Sequence, residues 1–328
     1  MHFFGVFCQI HFEAKKYGLR GLPRSELPVA REVIRRDWPT AMPLAVLLLL
    51  TGCGATASMP TSGSPSLDRP TRLVLDNGMR VIIQEHRASD VVALHLWVGV
   101  GGRDERPAEL GFSHLVEHML FKGTETRGPG FVDREVEAVG GRTNAGTSLD
   151  YTFYYILLPA RQALRAIEVM GDVAFNSAFD PKELERERQV VFEEVRLGED
   201  NPRSSLFRQL YTHVFPGHPY GRPVLGDEAA LKAATRETLR GYYRRHYAPE
   251  NMVLVVVGAV NSTDVSAVVE RTFARVTAAG YRRRPLPPPP SLPGVRRHVV
   301  SRNEKQAHLA LGWSAPPLDH PDVFAVDL

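Results

Sequence analysis

The alternation of apolar and polar positions after residue 70 predicts a sheet. β-Branched runs flank Asn77-Gly78, a pair that tolerates the positive φ angles of a type I′ turn, so we predict a hairpin there. Further strands are predicted at 91–101, in the pair "RTNAGTSLDYTFYYILL", and in the buried run "MVLVVVGAV". These strands supply the sheet of the predicted fold.

Apolar positions with a helical period lie between these strands. They predict helices at "GFSHLVEHMLFKG", "FVDREVEAVGG", "PARQALRAIEVMGDVAF", "DPKELERERQVVFEEVRLGED" and "TRETLRGYYRRHY", and from about residue 264 to 276. We expect Gly123 to cap the first of these helices, Pro159 to occupy the first turn of the third, and Asp180 with Glu183 to form a capping box. The chain is therefore predicted to be α+β, with a mixed or antiparallel sheet and helices packed on one face.

The region before residue 71 predicts export. Residues 43–52, "PLAVLLLLTG", are too short to span a bilayer but have the length of a signal-peptide core, and "LLTGC" resembles the lipobox of bacterial lipoproteins. We therefore interpret residues 1–53 as an N-terminal extension and signal with Cys53 as the lipidated residue, and 54–70 as a flexible tether. The alternative is a short buried segment with an isolated cysteine.

This interpretation places the protein in the cell envelope, facing the periplasm. Gly54 follows the cysteine, and by resemblance to bacterial sorting signals the absence of aspartate there favours the outer membrane. The residues upstream of the apolar run are unusually numerous for a signal, so the true start codon is expected further downstream.

Composition narrows the function. The chain has 328 residues, 43% of them hydrophobic, and a net charge of +3. Its first 52 residues carry seven basic and four acidic side chains, so the remaining chain is electrically balanced. No basic cluster interleaved with aromatic residues is present, so nucleic-acid binding is not predicted. Two cysteines, Cys8 and Cys53, imply no disulfide framework.

A proline-rich segment separates two regions near the C-terminus. Residues 281–296 include "PLPPPPSLPG", which predicts a stiff connector after a domain at 71–280. Beyond it, "HLALGWSAP" echoes the earlier "ALHLWVGVG", so 297–328 is predicted to begin a second similar domain. About 30 residues cannot bury a core, so this second domain is expected to be truncated.

The apolar segment "GFSHLVEHMLFKGTE" contains the candidate chemistry. At about 100° per residue, His114, Glu117 and His118 share one arc of a helix that is otherwise apolar. Two histidines one turn apart can bind one metal ion, and the pairing suits zinc. On the later helix, Glu187 and Glu194 fall in the middle of the apolar face together with Val190 and its neighbours, whereas Glu193 falls on the opposite face.

We therefore expect His114, His118 and Glu194 to hold one zinc ion per chain, with Glu117 beside it and a fourth position left for water. Burying two carboxylates on one helix face is energetically unfavourable unless a metal or histidine faces them. The alternatives are a hydrogen-bonded pair of core histidines and a structural metal site.

Several motifs together resemble one family of enzymes. They are "GGRDE", "HLVEHMLFKGT", "GGRTNAGTSLDYTFY", "ERERQVVFEEVRLGEDNP" and "HPYGRPVLG". In order and spacing they resemble the pitrilysin/insulinase family of zinc peptidases with the inverted H-x-x-E-H motif, and within it the processing-peptidase-like bacterial zinc proteases. The resemblance runs from about residue 69 to 277, and it implies a half-clamshell fold and peptide hydrolysis.

By position, the resemblance also implies roles for individual residues. His114, His118 and Glu194 match the zinc ligands and Glu117 the general base, while Glu187 matches an acidic position that supports the site from the outer shell. Asn144, Ala145, Gly146 and Thr147 align with an edge strand that would bind an extended peptide by adding it to the sheet.

Family members consist of two similar halves, and the second half contributes to substrate binding. The resemblance thus implies that this chain needs a second homologous half or a partner subunit, in addition to peptide substrates. The main alternative is a zinc-binding family subunit without catalysis that acts in assembly or peptide binding. A zinc-carrying envelope lipoprotein without enzymatic role is the third possibility.

Overall fold

The computed structural model describes residues 9–12 and 69–327. The apolar run at 43–52, Cys53 and the tether up to residue 68 lie outside the described residues, so export and lipidation stay predictions. Among the described residues, no helix combines the length and the apolar content that crossing a bilayer requires.

A six-stranded mixed sheet forms the centre of the fold. Its strand order is β2-β3-β7-β4-β6-β5, in which β3 and β7 are parallel and all other neighbours are antiparallel. A separate two-stranded sheet pairs β1 with β8. The strands are β1 (Gln9–Phe12), β2 (Thr71–Val74), β3 (Arg80–Glu85), β4 (Val91–Val98), β5 (Arg142–Thr147), β6 (Thr152–Pro159), β7 (Met252–Gly258) and β8 (Ala307–Ala310).

Helices cover one face of the six-stranded sheet. Along β4, β6 and β7 every second residue is buried and most of the alternate residues are half-buried, because only one face lies against the helices. The described helices are α1 (Phe112–Leu120), α2 (Phe131–Glu137), α3 (Ala163–Asn176), α4 (Pro181–Asp200), α5 (Pro202–Val214), α6 (Glu228–Ala233), α7 (Arg236–His246), α8 (Ser262–Phe273) and α9 (Val323–Asp327). The predicted α+β fold with a mixed sheet is confirmed.

The hairpin predicted at Asn77-Gly78 is present, but its turn type differs. Gly78 has a φ of +84°, whereas Asn77 is not among the residues with positive φ, so the turn is not type I′. The Asn77 side chain instead donates to the main-chain oxygens of Phe273 and Val276, both at 2.8 Å. These bonds tie the hairpin to the end of α8, which a local turn preference cannot anticipate.

Three predicted helix ends also differ from the structure. Pro159 is the last residue of β6, and α3 begins only at Ala163. The C-cap of α1 is Phe121 rather than Gly123. At α4, Asp180 accepts hydrogen bonds from two main-chain N–H groups as predicted, but Glu183 pairs with Arg186 instead of completing a capping box.

Three helices, α5, α6 and α9, are absent from the predicted elements. Asn201 caps α5 by accepting from the main-chain N–H groups of Arg203 and Ser204, and Pro202 occupies the first turn. That Asn-Pro pair is a local start signal, but the helix has only one fully buried residue, Ser205, so its apolar period is weak. The helix depends on contacts with α4 and on the turn that follows it.

Candidate metal centre

Helix α1 carries three of the candidate residues and begins at a constrained glycine. Gly111 precedes the helix with a φ of +91°, and a Cβ there would lie 2.8 Å from the Leu225 main-chain oxygen. Glycine is therefore required at the position where the chain turns into the helix. The helix then presents His114 and His118 one turn apart, with their rings 4.6 Å apart between centroids.

Helix α4 faces α1 and supplies both acidic candidates. Glu187 is buried with 8% of its side chain exposed, whereas Glu194 has 38% exposed. The two lie on the same side of the helix, as predicted, and Glu193 is 64% exposed and pairs with Arg196. Val190, predicted to share the apolar face, is 43% exposed, and Glu194 is less buried than predicted. The face of α4 that carries Val190 and Glu194 is thus partly exposed.

The structure brings His114, His118 and Glu194 together. Their ligand atoms all lie within 4.8 Å of one another, and in the part of the chain that the structure describes they form the only such group of three. The two histidine Nε2 atoms are 3.3 Å apart, and Glu194 Oε2 lies 3.4 Å from His114 Nε2 and 3.7 Å from His118 Nε2. Three donor atoms therefore point at one small volume.

These separations fit a zinc ion. Donors at the corners of a tetrahedron around zinc, with bonds of about 2.0 to 2.1 Å, stand about 3.3 to 3.4 Å apart. The observed separations of 3.3, 3.4 and 3.7 Å are close to that value. Two imidazole nitrogens and one carboxylate oxygen are also a donor set that catalytic zinc sites use.

Glu187 supports the centre through His118. Its Oε2 lies 3.0 Å from His118 Nδ1, and its Oε1 lies 2.9 Å from Lys122 Nζ. Burial alone would raise the pKa of Glu187, but the hydrogen bonds with His118 and Lys122 outweigh it and lower that pKa. Glu187 is therefore held as a carboxylate that accepts from Nδ1, which leaves His118 Nε2 directed at the centre.

The two histidines differ in their protonation. Burial would lower the pKa of His118, but the hydrogen bond to Glu187 and the charges of Glu194 and Glu117 outweigh it and raise that pKa. Burial, followed by the charge of His118, lowers the pKa of His114 to about 4. His114 Nδ1 is buried and has no hydrogen-bond partner among the described residues. His114 is therefore neutral at physiological pH, as a metal ligand must be.

The pKa of His118 predicts how zinc binding should depend on pH. The raised pKa means that a proton competes with the metal from above pH 6.5, so zinc affinity should fall as the pH is lowered through that range. In Glu187→Gln the hydrogen bond with a carboxylate, one of the causes that raise the pKa of His118, is lost, so this fall should move to lower pH, and zinc affinity at pH 8 should drop by about 10 to 100-fold.

Competition with a chelating dye between about pH 5.5 and 8 measures both effects across the range where histidine titrates. Glu185→Gln is the matched control, because Glu185 is 59% exposed on the same helix. An unchanged pH profile in Glu187→Gln would contradict the role of Glu187.

Glu117 lies beside the centre and contacts the sheet. The Thr147 hydroxyl, at the end of β5, donates to Glu117 Oε2. Burial raises the pKa of Glu117, and the Thr147 hydrogen bond and the charge of His118 oppose that shift only in part. The carboxylate is thus held in place on the same helix as both histidines.

Strand β5 forms an edge of the six-stranded sheet. Within the described part of the chain it pairs with β6 on one side only, in the register Asn144 with Tyr155 and Thr147 with Thr152. Asn144 is exposed, and its Oδ1 accepts from the main-chain N–H of Ala145. Of the four residues aligned with a peptide-binding strand, Asn144 to Thr147, Thr147 makes the side-chain contact with Glu117.

A cavity of about 410 Å³ opens next to the centre. Its lining includes Thr147, which contacts Glu117, and Val195, which follows Glu194 in sequence. The remaining lining residues are mostly apolar or aromatic and come largely from α5 and the segment after it: Ser148, Leu149, Gly198, Ser204, Phe207, Arg208, Tyr211, Tyr220, Arg222, Pro223, Val224, Leu225 and Gly226. The cavity therefore lies between residues adjacent to the centre and helix α5, a helix that the sequence patterns do not predict.

Glu105 is a residue of the site that the sequence does not single out. It is fully buried, and its two carboxylate oxygens accept from the main-chain N–H groups of Gly111 and Ser113 at 2.9 and 2.8 Å. Burial raises the pKa of Glu105 to about 8, although these hydrogen bonds oppose the shift. The first N–H groups of a helix have no partner within the helix, and Glu105 accepts from two N–H groups at this end, so it holds the start of α1. "GGRDE" is visible as a motif, but this contact is not.

Comparison with known proteins agrees with this geometry. Residues 80–228 match the family model described as Insulinase (Peptidase family M16), and residues 233–328 match the model described as Peptidase M16 inactive domain. The second match begins before β7, although β7 lies between β3 and β4 at the centre of the first sheet.

An uncharacterized zinc protease of Mycobacterium tuberculosis is 34% identical over 251 residues, which cover 75% of this chain and 57% of that protein. The uncharacterized zinc protease YmxG of Bacillus subtilis is 32% identical over 253 residues, 77% of this chain and 61% of that protein. This chain thus spans little more than half the length of these relatives.

Among solved structures, the first half of the periplasmic protease PqqL from Escherichia coli matches with a TM-score of 0.63 and 28% identity, over 67% of this chain and 49% of that chain. The match to the first family model spans α1, β5 and α4, the elements that form the candidate centre. The chain belongs to the insulinase or pitrilysin family of peptidases, peptidase family M16.

Proposed function

We propose that this protein is a zinc-dependent endopeptidase that hydrolyses peptide bonds in extended peptides or unfolded protein segments. His114, His118 and Glu194 would hold one zinc ion per chain, and Glu117 would act as general base. The observation that carries the proposal is the convergence of three donor atoms within 4.8 Å of one another, together with the half-buried carboxyl group of Glu117 on the same helix as the histidines.

The arrangement suits hydrolysis. Bound zinc would supply Lewis acidity, which polarises a carbonyl group and makes water a nucleophile at neutral pH. Glu117 would accept a proton from water and pass it to the departing amine. Its raised pKa brings it nearer to the working pH, which favours both transfers. The Thr147 hydroxyl orients its carboxylate.

The edge strand would hold an extended substrate. Among the residues that the structure describes, β5 has no neighbour on one side, and a peptide could add there through main-chain hydrogen bonds along Asn144 to Thr147. Since Thr147 also contacts Glu117, a peptide on this strand would pass the candidate base. The neighbouring cavity of about 410 Å³ would accept an apolar side chain of that peptide, because Leu149, Val195 and Phe207 line it.

A second homologous half would complete the enzyme. The chain spans 57% of the M. tuberculosis relative, and residues 233–328 match a second model of the same family. We propose that the other half, on the same chain or on a partner subunit, closes over the centre and contributes to substrate binding.

Metal content together with cleavage of a mixed quenched-peptide library tests the proposal. The protein is assayed alone and joined to a second homologous half. Stoichiometric zinc with cleavage in either preparation supports the endopeptidase. Zinc without cleavage in both supports the alternative, a non-catalytic zinc-binding family subunit that acts in assembly or peptide binding. Absence of zinc binding overturns both.

We also propose that the protein is an exported lipoprotein anchored through Cys53, with its folded part in the periplasm and the outer membrane as its membrane. The signal-like run at 43–52 and the small, polar residues 54–70 support this proposal, and the E. coli neighbour is named a periplasmic protease. Replacing Cys53 by serine should move the protein from the membrane to the soluble fraction of cells. Equal membrane association of both proteins would argue against the anchor.

A further inference from the structure

Arg283 makes unusually strong contacts for a residue of a connecting segment. It lies in the predicted linker at 281–296, yet only 21% of its side chain is exposed. Its Nε and Nη2 donate to Asp104 Oδ1 and Oδ2 at 3.0 and 2.6 Å, and Nη2 also donates to the main-chain oxygen of Asp150 at 2.6 Å. A bidentate ion pair fixes the relative orientation of its two side chains as well as stabilising the contact. The Asp104 side chain is only 4% exposed, so water screens this pair little.

The first of these contacts leads to the N-terminus of α1. Asp104 is followed directly by Glu105, whose carboxylate accepts from the main-chain N–H groups of Gly111 and Ser113. Asp104 also accepts from the Gly101 main-chain N–H at 3.1 Å, which closes the short turn before Glu105. The position of Asp104 therefore sets where Glu105, and with it the start of the helix that carries both histidines, can lie.

The second contact leads to the strand beside Glu117. Asp150 lies in the turn that follows β5, and its Oδ1 accepts from Arg103 Nη1 at 2.6 Å. The main chain of this turn also accepts from the N–H groups of Gly102 and Arg103 at 3.1 and 3.0 Å. Thr147, at the start of the turn, donates to Glu117. Arg283 thus joins the segment before α1 to the segment after β5.

The linker is held on either side of Arg283. The Tyr281 main-chain N–H donates to Glu250 Oε1 at 2.6 Å, and the Pro287 main-chain oxygen lies 3.2 Å from His218 Nε2. Because both neighbours are anchored, Arg283 is presented to Asp104 and Asp150 by a segment with little freedom. The predicted stiff connector therefore lies against the domain that carries the centre.

We infer that Arg283 is a positioning residue for the candidate centre: it clamps the segments before α1 and after β5, so that the linker holds the two histidines and Glu117 in register. The inference rests on the proposed zinc site. If Arg283 has this role, the linker at 281–296 is a structural part of the centre. Displacing the linker should then weaken zinc binding.

Zinc release from Arg283→Met measures this effect. The full chain loaded with zinc is mixed with excess chelator, and we expect release about tenfold faster than from the unchanged protein, the lower end of the effect of outer-shell changes. Arg282→Met is the matched control, because Arg282 is the exposed neighbour on the same segment. Arg283→Lys should lie between the two, since an ammonium group cannot bind both carboxylate oxygens in the same bidentate geometry.

Hydrogen exchange at the Gly111 and Ser113 amides provides a readout that does not involve metal or cleavage. It should be faster in Arg283→Met, whereas exchange in the remote helix α8 should be unchanged; faster exchange everywhere would indicate a general loss of stability and overturn the inference. Zinc release and amide exchange in Arg283→Met equal to those in Arg282→Met would also overturn it. If Arg283→Met does not fold, Arg283→Lys decides by the same two measurements.

These outcomes are separate from those of the proposed function. A protein that binds zinc but cleaves no peptide contradicts the endopeptidase and leaves the zinc-release test intact. A protein that binds no zinc contradicts the metal site, and amide exchange still decides whether Arg283 holds the start of α1.

Discussion

Replacing Glu117 by glutamine should reduce peptide cleavage by about 10² to 10⁴-fold while zinc content stays unchanged. Glutamine has nearly the same shape and its side-chain oxygen can still accept from Thr147, so the helix and its three candidate ligands should remain in place. It cannot, however, accept a proton from water. The variant therefore separates loss of the base from loss of the metal.

Turnover of a quenched peptide and metal analysis of the same sample check this prediction. Glu125→Gln is the control, because Glu125 is 69% exposed and the same chemical change is made there away from the centre. Cleavage at the unchanged rate in Glu117→Gln would assign the base to another group. Loss of zinc from this variant would instead show that Glu117 acts on the metal site itself.

The pH dependence of the unchanged enzyme provides a second check on Glu117. Burial raises its pKa above the usual value of 4.5, and the base must be deprotonated to act. Activity should therefore be present at neutral pH and be lost as the pH falls through this raised pKa, starting above pH 4.5. Since His118 protonation weakens zinc binding at low pH, the assay needs zinc in excess.

Replacing Glu194 by glutamine should weaken zinc binding by on the order of 100-fold or more, whereas Glu193→Gln should leave it unchanged. Loss of an outer-shell partner costs about 10 to 100-fold in metal affinity. Glu194 is a candidate ligand itself, since its Oε2 lies 3.4 Å from His114 Nε2 and 3.7 Å from His118 Nε2. Its loss should therefore reduce metal affinity by more than the loss of an outer-shell partner does. A neutral amide is a weaker ligand than a carboxylate for a divalent cation.

The Glu193 control is stringent because the two residues are adjacent and chemically identical. Glu193 is 64% exposed and pairs with Arg196, a surface contact of small energetic value. Titration of each variant with zinc against a chelator of known affinity measures the difference. If Glu193→Gln lost zinc and Glu194→Gln retained it, the proposed ligand set would be wrong.

Glu193 and Glu194 show what the helical period alone can predict and what it cannot. Adjacent residues on a helix point about 100° apart, so the helical period is enough to place Glu187 and Glu194 on the apolar face of α4 and to exclude Glu193 from it. The same rule does not measure exposure. Val190 belongs to that face by its position in the helical period, yet 43% of it is exposed, because burial also depends on which other elements cover that face.

The helical period does not identify residues whose role depends on contacts with distant parts of the chain. Glu105 looks like an ordinary acidic residue in a loop, and its burial depends on the folding of Gly111 and Ser113 over it. Arg283 lies in a basic stretch before prolines, and nothing near it in sequence indicates the pair with Asp104, 179 positions away. Contacts of this range leave no local pattern.

Local periodicity was sufficient to predict most strands and helices. It also predicted that His114, Glu117 and His118 share one arc of a helix, and which side of α4 faces them. Each of these features depends only on the geometry of one element. Tertiary packing alone set the insertion of β7 between β3 and β4, the approach of Thr147 to Glu117, and the clamp of Arg283 on the segments around the centre. These features join parts of the chain that are far apart in sequence, and their energy exists only once the whole sheet and its helices have assembled.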